Sequence, residues 1–342
     1  MKFLSYIYYL ITTCRNFLYD AGILRVRSVP GVEIICIGNI TVGGTGKTPA
    51  VQYYTKRLRK MGKKVAVVSR GYRGKRKREP LLVSDGKMIF STAFESGDES
   101  YMHALNLNVP VIVSVNRRRG CLFAKKHFDV DTIILDDGFQ HRKLKRDRDI
   151  VLIDATNPFG YRELLPKGRL RESFKKALPR ASEFIITKSD LAGEKEVEKV
   201  RRFLKFKENK AVSLAKHGVV SLCDMYGNPK PLFWIKDKRI LLFSGLANPL
   251  NFEKTVISLN PSYIERIDFM DHHNLKIRDL NMIQRRAESI KASFILTTEK
   301  DMVKMPENFV MENLLVLKIE FTMIEDHSLK PLEKKYEKGT QN

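Results

Sequence analysis

The segment Gly43-Gly44-Thr45-Gly46-Lys47-Thr48 joins the apolar run Val32–Gly38 to a helix-compatible stretch opening Pro49-Ala50-Val51-Gln52. A strand that delivers a glycine turn into a helix leaves several backbone N–H groups pointing at one anion. The helix dipole favours negative charge at the same place. In such a loop Lys47 reaches the β- and γ-phosphates of a nucleotide, and the Thr48 hydroxyl sits on magnesium. Thr41 stands where the usual phosphate-loop pattern begins with glycine, so the loop is read over Thr41, Val42, Gly43, Gly44, Thr45, Gly46, Lys47 and Thr48. A plain glycine turn before a surface helix would leave Gly-Lys-Thr at the helix start unexplained.

This loop requires a strand before it and a helix after it, and the rest of the chain repeats that order. Strands are predicted at Val32–Gly38, Val65–Ser69, Val109–Val115, Thr132–Leu135, Ile150–Asp154 and Glu183–Thr187, with amphipathic stretches such as Pro49–Lys60 and Arg117–His127 between them. The alternation predicts an α/β fold: a doubly wound, mostly parallel sheet of the P-loop NTPase type. Pro80–Ser91, centred on Ser84-Asp85-Gly86, reads as an inserted β-hairpin. After a charged helix at Glu194–Lys210 the pattern restarts, with strands at Arg239–Phe243, Tyr263–Phe269, Phe294–Thr298 and Leu314–Ile319 and a helix at Arg278–Lys291. The expected divisions are an N-terminal interface region at 1–30, a phosphate-loop domain at 31–211 and a smaller α/β domain at 212–336.

A formal charge of +23 in 342 residues calls for an anionic partner: nucleic acid, an acidic membrane surface or a phosphorylated ligand. Cys14, Cys36, Cys121 and Cys223 form no Cys-x-x-Cys pair and suit reduced thiols in the cytoplasm, with Cys36 in a core strand. Phe3–Thr13 is apolar and aromatic but shorter than the roughly 20 residues a spanning helix needs. No small-x-small cleavage site follows it. Its tyrosines suit a headgroup-level position, with Arg15, Arg25 and Arg27 facing anionic lipid. The alternative is a helix packed on its own domain.

Several segments carry chemistry. Thr132–Leu135 ends in Asp136-Asp137-Gly138-Phe139-Gln140-His141, and an acid so placed beside a phosphate loop holds magnesium directly or through water. Either Asp136 or Asp137 fits. Asp98, in Gly97-Asp98-Glu99, is either a helix N-cap or a base for a substrate hydroxyl. Arginines at Arg117-Arg118-Arg119, Arg169 and Arg171 can clamp phosphate oxygens, or some form a solvated basic face. Lys75-Arg76-Lys77-Arg78 reads as a basic surface loop. In Asp271-His272-His273, adjacent histidines in extended chain point apart, so at most one reaches a shared site.

Gly38-Asn39-Ile40-Thr41 with the loop, Ser69-Arg70-Gly71-Tyr72, Gly97-Asp98-Glu99, Asp136-Asp137-Gly138-Phe139-Gln140-His141, Leu164-Leu165-Pro166-x-Gly168-x-Leu170-Arg171-Glu172, Asp271-His272-His273 and Thr298-Glu299-Lys300-Asp301 follow in one order. In that order they closely resemble the tetraacyldisaccharide 4′-kinase family of lipid A biosynthesis. Thr41 belongs to that family's version of the loop, whereas Arg73 stands where the family commonly has glycine. The resemblance implies a two-domain phosphate-loop kinase using ATP and Mg2+. Its substrate would be an acylated disaccharide 1-phosphate, phosphorylated at the 4′-hydroxyl. Its place would be the cytoplasmic face of the bacterial inner membrane, on an anionic surface, with no nucleic-acid partner. It further implies triphosphate binding by Lys47 and Thr48, metal contacts from Thr48 with Asp136 or Asp137, and Asp98 as base with His272. Arg117, His141 and Arg169 would stabilise charge on the transferring group.

Two rivals stand beside it. Thr187-Lys188-Ser189-Asp190 resembles a guanine-reading strand end, but a GTPase would carry Asp-x-x-Gly, and Leu135 stands three before Gly138. A nucleic-acid-binding ATPase suits the charge but lacks interleaved aromatics and a recognition helix.

Overall fold

The computed structural model describes residues 1–329 apart from 247, 272, 307 and the side chain of Val220. The chain opens with helix α1 (Lys2–Asp20). The first half then runs β1 (Glu33–Asn39), α2 (Lys47–Lys60), β2 (Val65–Ser69), β3 (Leu81–Asp85), α3 (Ala93–Ser96), α4 (Asp98–Asn106), β4 (Pro110–Val113), α5 (Arg117–His127), β5 (Thr132–Asp136), β6 (Arg148–Asp154), α6 (Phe174–Ala177), β7 (Glu183–Thr187) and α7 (Glu194–Glu208). The second half runs β8 (Val212–Asp224), β9 (Pro229–Lys230), β10 (Arg239–Ser244), α8 (Pro249–Ile257), β11 (Tyr263–Asp268), α9 (Ile277–Ser289), β12 (Phe294–Thr298), α10 (Glu299–Met302) and β13 (Leu314–Glu325).

Among the described residues these strands form one sheet in the order β11-β10-β12-β13-β8-β7-β6-β1-β5-β2-β4-β3, with β9 attached to β8. The sheet is doubly wound and mostly parallel. Its inner strands β2, β5 and β7 are buried throughout and read as near-continuous apolar runs because both faces are covered. In β1, Ile34 and Cys36 join one core with α5 and α7, while Ile35 and Ile37 join another with Ala50, Val51, Tyr54 and Leu58 of α2. β10 repeats the arrangement: Ile240 and Leu242 pack with α8, and Leu241 and Phe243 with α9. Each such side chain, fully buried, contributes roughly 1.5–3 kcal/mol relative to exposure.

The two halves meet at β8. It lies parallel to β7 and antiparallel to β13, and the β13 pairing runs from Leu315 opposite Asp224 to Glu325 opposite Leu214. Neither β8 nor the extension of β13 beyond Ile319 is foreseen from the sequence pattern. β8 carries Ser213, Lys216, His217 and Ser221 among its apolar residues, and the β13 extension carries Glu320, Thr322 and Glu325. Pairing with each other, and of β8 with β7, makes them strands. The predicted hairpin at 80–91 is present in short form. Leu81–Asp85 is an edge strand antiparallel to β4, and the return arm pairs with it through the Ser84–Ile89 bridge, with the Phe90 N–H donating to the Val83 carbonyl and the Asp85 N–H to the Met88 carbonyl. No helix among the described residues is long and apolar enough to cross a membrane.

Candidate active site

The phosphate loop lies between β1 and α2, at the carboxyl edge of the sheet where ligands bind in such folds. Gly43 and Gly46 adopt φ of 111° and 85°, which side chains resist, and Gly46 is the N-cap of α2 with no side chain capping the helix. The N–H groups of the first turn are therefore available to an anion. Asn39, buried at the end of β1, donates from Nδ2 to Thr45 Oγ1 at 2.9 Å. Thr41 bridges to Leu170, and the Val42 N–H donates to the Arg169 carbonyl at 2.8 Å. The Leu164–Glu172 segment thus runs along the leading edge of the loop. The Arg169 guanidinium lies 3.8–3.9 Å from where a side chain on Gly43 would begin. Arg169 also lines a cavity of about 490 Å³ beside the loop, with Gly44, Asp154, Lys188 and Asn251.

β5 delivers the acid pair. Asp136 is buried, and its Oδ2 lies 3.0 Å from Nε2 of His103 on α4. Asp137 turns out of the strand with φ 53°, and Arg171 donates to its two oxygens at 2.8 and 2.9 Å. Lys47 Nζ stands 3.8 Å from Asp137 Oδ2. Burial pushes the Asp137 carboxyl up, but the charges of Lys47 and Arg171 outweigh it and hold the group below its ordinary range. Arg117 is buried and donates to the carbonyls of Ser114 at 3.3 Å and Val115 at 3.2 Å, with Nη2 3.5 Å from the Asp137 carbonyl. Burial lowers the Arg117 guanidinium to about 10. Of its neighbours, Arg118 bonds the Ser28 carbonyl and Arg119 is exposed, so the surface reading holds for those two. His141 is lowered to about 4, first by burial and then by Arg117. At neutral pH it is a neutral imidazole that can donate or accept, not a cation.

Asp98 is the first residue of α4, and the N-cap is Gly97, with no side-chain cap bond. The N-cap reading is therefore corrected: Asp98 stands within the first turn. Beside it, Glu99 is raised, by burial and then by the charge of Asp136. Hard oxygen donors at Thr48, Asp136 and Asp137 suit a divalent cation. Among the described residues no three His, Cys, Asp or Glu form a metal cluster by themselves.

His272 lies outside the described residues. His273 stacks on Phe269 at 4.8 Å, and its Nε2 lies 2.9 Å from Asp279 in the first turn of α9. It serves the helix start, so His272 is left as the candidate of the pair. Arg73 Nη1 donates to the Asp271 carbonyl at 3.1 Å, which brings the Ser69–Tyr72 loop against this segment. Arg73 has φ 61°, the conformation that favours glycine.

Sequence reasoning names Arg171 as a phosphate clamp but not as the partner of Asp137, and it gives no role to His103 on Asp136, to Glu99 or to Glu172. Glu172 is fully buried and accepts from Asn16 at 2.7 Å, Gln140 at 3.2 Å and Arg180 at 2.7 Å. Glu99 and Glu172 stand in the Gly97-Asp98-Glu99 and Leu170-Arg171-Glu172 strings already singled out, whereas nothing in the sequence marks His103.

α1 is inverted relative to an ordinary surface helix. Its buried face is mainly polar, with Ser5, Thr12 and Asn16 beside Tyr19, while Phe3, Leu10 and Phe17 are 73 %, 47 % and 62 % exposed. Ser5 donates to the Leu164 carbonyl, Tyr8 to the Arg171 carbonyl at 2.8 Å, and Asn16 to Glu172. The helix is fastened by hydrogen bonds and leaves an apolar stripe outward.

A family model described as tetraacyldisaccharide-1-P 4′-kinase matches residues 1–336. A tetraacyldisaccharide 4′-kinase from Halothermothrix orenii is 35% identical over 94% of this chain and 88% of its own length. One from an Anaeromyxobacter species is 36% identical over 95% and 88%. The crystal structure of the "apo" form of LpxK from Aquifex aeolicus in complex with ATP superposes with a TM-score of 0.73 at 31% identity, covering 94% of this chain and 93% of that one.

Proposed function

The chain belongs to the tetraacyldisaccharide-1-P 4′-kinase family, and from that premise we propose how its site works. The activity is ATP-dependent transfer of the γ-phosphoryl group to the 4′-hydroxyl of tetraacyldisaccharide 1-phosphate, a step of lipid A biosynthesis. The observation that carries the assignment of roles is the convergence of Lys47, Arg171 and Arg117 on Asp137 beside an open helix N-terminus.

The triphosphate lies along residues 41–48, with Lys47 on the β- and γ-phosphates. Thr48 with Asp136 or Asp137 would hold magnesium, which would supply compensation for the negative charge of the triphosphate. Asp98 accepts the proton of the 4′-hydroxyl, with His272 assisting from the second half. The hydroxyl oxygen forms its bond to the γ-phosphorus as the bond to the β-phosphate oxygen breaks, and ADP departs. Arg117, Arg169 and neutral His141 bond the transferring oxygens. Positioning and electrostatics carry most of the acceleration in such a reaction.

Residues 31–211 form the nucleotide unit and 212–336 the unit that brings the Asp-His-His segment to it. The apolar stripe of α1 rests in the headgroup region of the cytoplasmic face of the inner membrane, where the acyl chains remain while the sugar enters the site. The test is labelled ATP with magnesium and an acylated disaccharide 1-phosphate, read for labelled lipid. GTP serving as well as ATP, or label released only as free phosphate, would overturn the reading.

A further inference from the structure

The phosphate loop is held from behind by the end of β7, a part of the chain with no role in the reaction so far. Lys188 is buried and adopts φ 54°. Its Nζ donates to the Gly44 carbonyl at 2.6 Å and to Asp154 Oδ2 at 2.5 Å. The preceding Thr187, fully buried, donates from Oγ1 to the Thr45 carbonyl at 3.0 Å. On the same side, the His217 ring of β8 lies 2.3 Å from where a Cβ on Gly46 would stand. Gly44, Thr45 and Gly46 are thus met in turn by Lys188 just after β7, Thr187 at its end and His217 of β8.

A loop binds phosphate through its N–H groups only if its carbonyls point away. Those carbonyls then need donors of their own, or the peptides can turn over. Lys188 and Thr187 supply these donors at Gly44 and Thr45. Asp154 balances the lysine charge, and the left-handed backbone at 188 is stored strain that aims the side chain at the loop.

We infer that Lys188 is a positioning residue for nucleotide binding: with Thr187 it fixes the Gly44–Thr45 and Thr45–Gly46 peptides, the first with its Thr45 N–H turned onto the Gly43 carbonyl and the second with its Gly46 N–H at the start of α2, on the triphosphate side. This explains Thr187-Lys188-Ser189-Asp190 without guanine recognition. The inference rests on the loop being the nucleotide site.

The test uses the full chain with Lys188→Met, Lys188→Arg and Thr187→Val, and Lys47→Ala as reference. ATP binding is measured by calorimetry, KM is measured separately for ATP and for the lipid, and melting is followed with and without ATP. Lys188→Met is expected to weaken ATP binding and raise the ATP KM by about tenfold or more, leaving the lipid KM within about twofold, because a charge-assisted bond is lost behind the loop. Lys188→Arg keeps charge and donors and recovers most of the affinity. If Lys188→Met fails to fold, Thr187→Val carries the test, with about threefold weaker ATP binding expected for a lost neutral bond. Folded Lys188→Met and Thr187→Val variants that bind ATP like the parent overturn the inference, as do ATP and lipid KM values rising together. Parental ATP binding by Lys47→Ala would instead remove the premise that the loop is the nucleotide site.

Discussion

Lys47 Nζ and Asp137 Oδ2 face each other across 3.8 Å, one from the start of α2 and the other from the turn after β5. That separation is too long for a hydrogen bond and short enough for strong attraction. A lysine that must turn to phosphate is thereby kept close to the site without being locked to a carboxylate. Lys47→Ala and Asp137→Asn are each expected to lower turnover by roughly a hundredfold or more. Steady-state lipid phosphorylation checks this, and near-normal rates in both variants would refute the assignment.

Asp98 occupies the first turn of α4 without capping it. Asp98→Asn should therefore preserve the fold and depress kcat far more than it raises the ATP KM. His272→Ala should behave alike, and the double variant should be little worse than either one. Multiplying losses would mean that the two residues act separately.

His141 and His217 are both lowered to about 4 from 6.5, in each case first by burial. Their unfolded-state values lie above their folded ones, so between pH 6.5 and 4 the unfolded chain binds more protons. Stability from neutral burial is then full above about pH 6.5 and drains away as pH falls toward 4, by on the order of 3 kcal/mol per histidine at most. Urea midpoints measured from pH 7.5 to 4.5 should fall, and His217→Phe should flatten the slope. An unchanged slope would show that His217 is not kept neutral in the fold.

The outward stripe of α1 predicts a separation of functions. Serine at Ile7, Leu10 and Phe17 should weaken binding to anionic vesicles, since each apolar side chain removed from lipid forfeits on the order of 1.5–3 kcal/mol. ATP binding should be unaffected. Asn16→Leu removes a bond to buried Glu172, and its expected effect is lower melting temperature with vesicle binding retained. The inverse pattern, checked by vesicle sedimentation and melting, would contradict the orientation of the helix.

Gly38 has no room for a methyl group, because an added Cβ would stand 2.6 Å from Phe139 Cβ. Gly38→Ala is expected to cost about 1–3 kcal/mol by overpacking. Denaturant titration should show the loss at any pH, and parental stability would mean that the Phe139 turn yields freely.

The sequence by itself determined the parts governed by short-range periodicity and local turn chemistry. Val65–Ser69, Glu183–Thr187 and Phe294–Thr298 are strands as read, because a strand buried on both faces is an apolar run wherever it sits. The glycine loop was legible because only a few residue types tolerate its backbone and supply its chemistry. Tertiary structure decided what depends on partners distant in the chain. β8 is a strand because β7 and β13 flank it, and Arg171, legible only as a phosphate clamp, became the partner of Asp137 when the Leu164–Glu172 segment lay down beside the loop. The pairing of Lys188 with Gly44 spans 144 residues, so no local pattern could announce it. The face that α1 presents outward was set likewise, by the hydrogen bonds that Ser5, Tyr8 and Asn16 find on residues 164–172. Apolar periodicity would have turned that helix the other way, and satisfying buried polar groups overruled it.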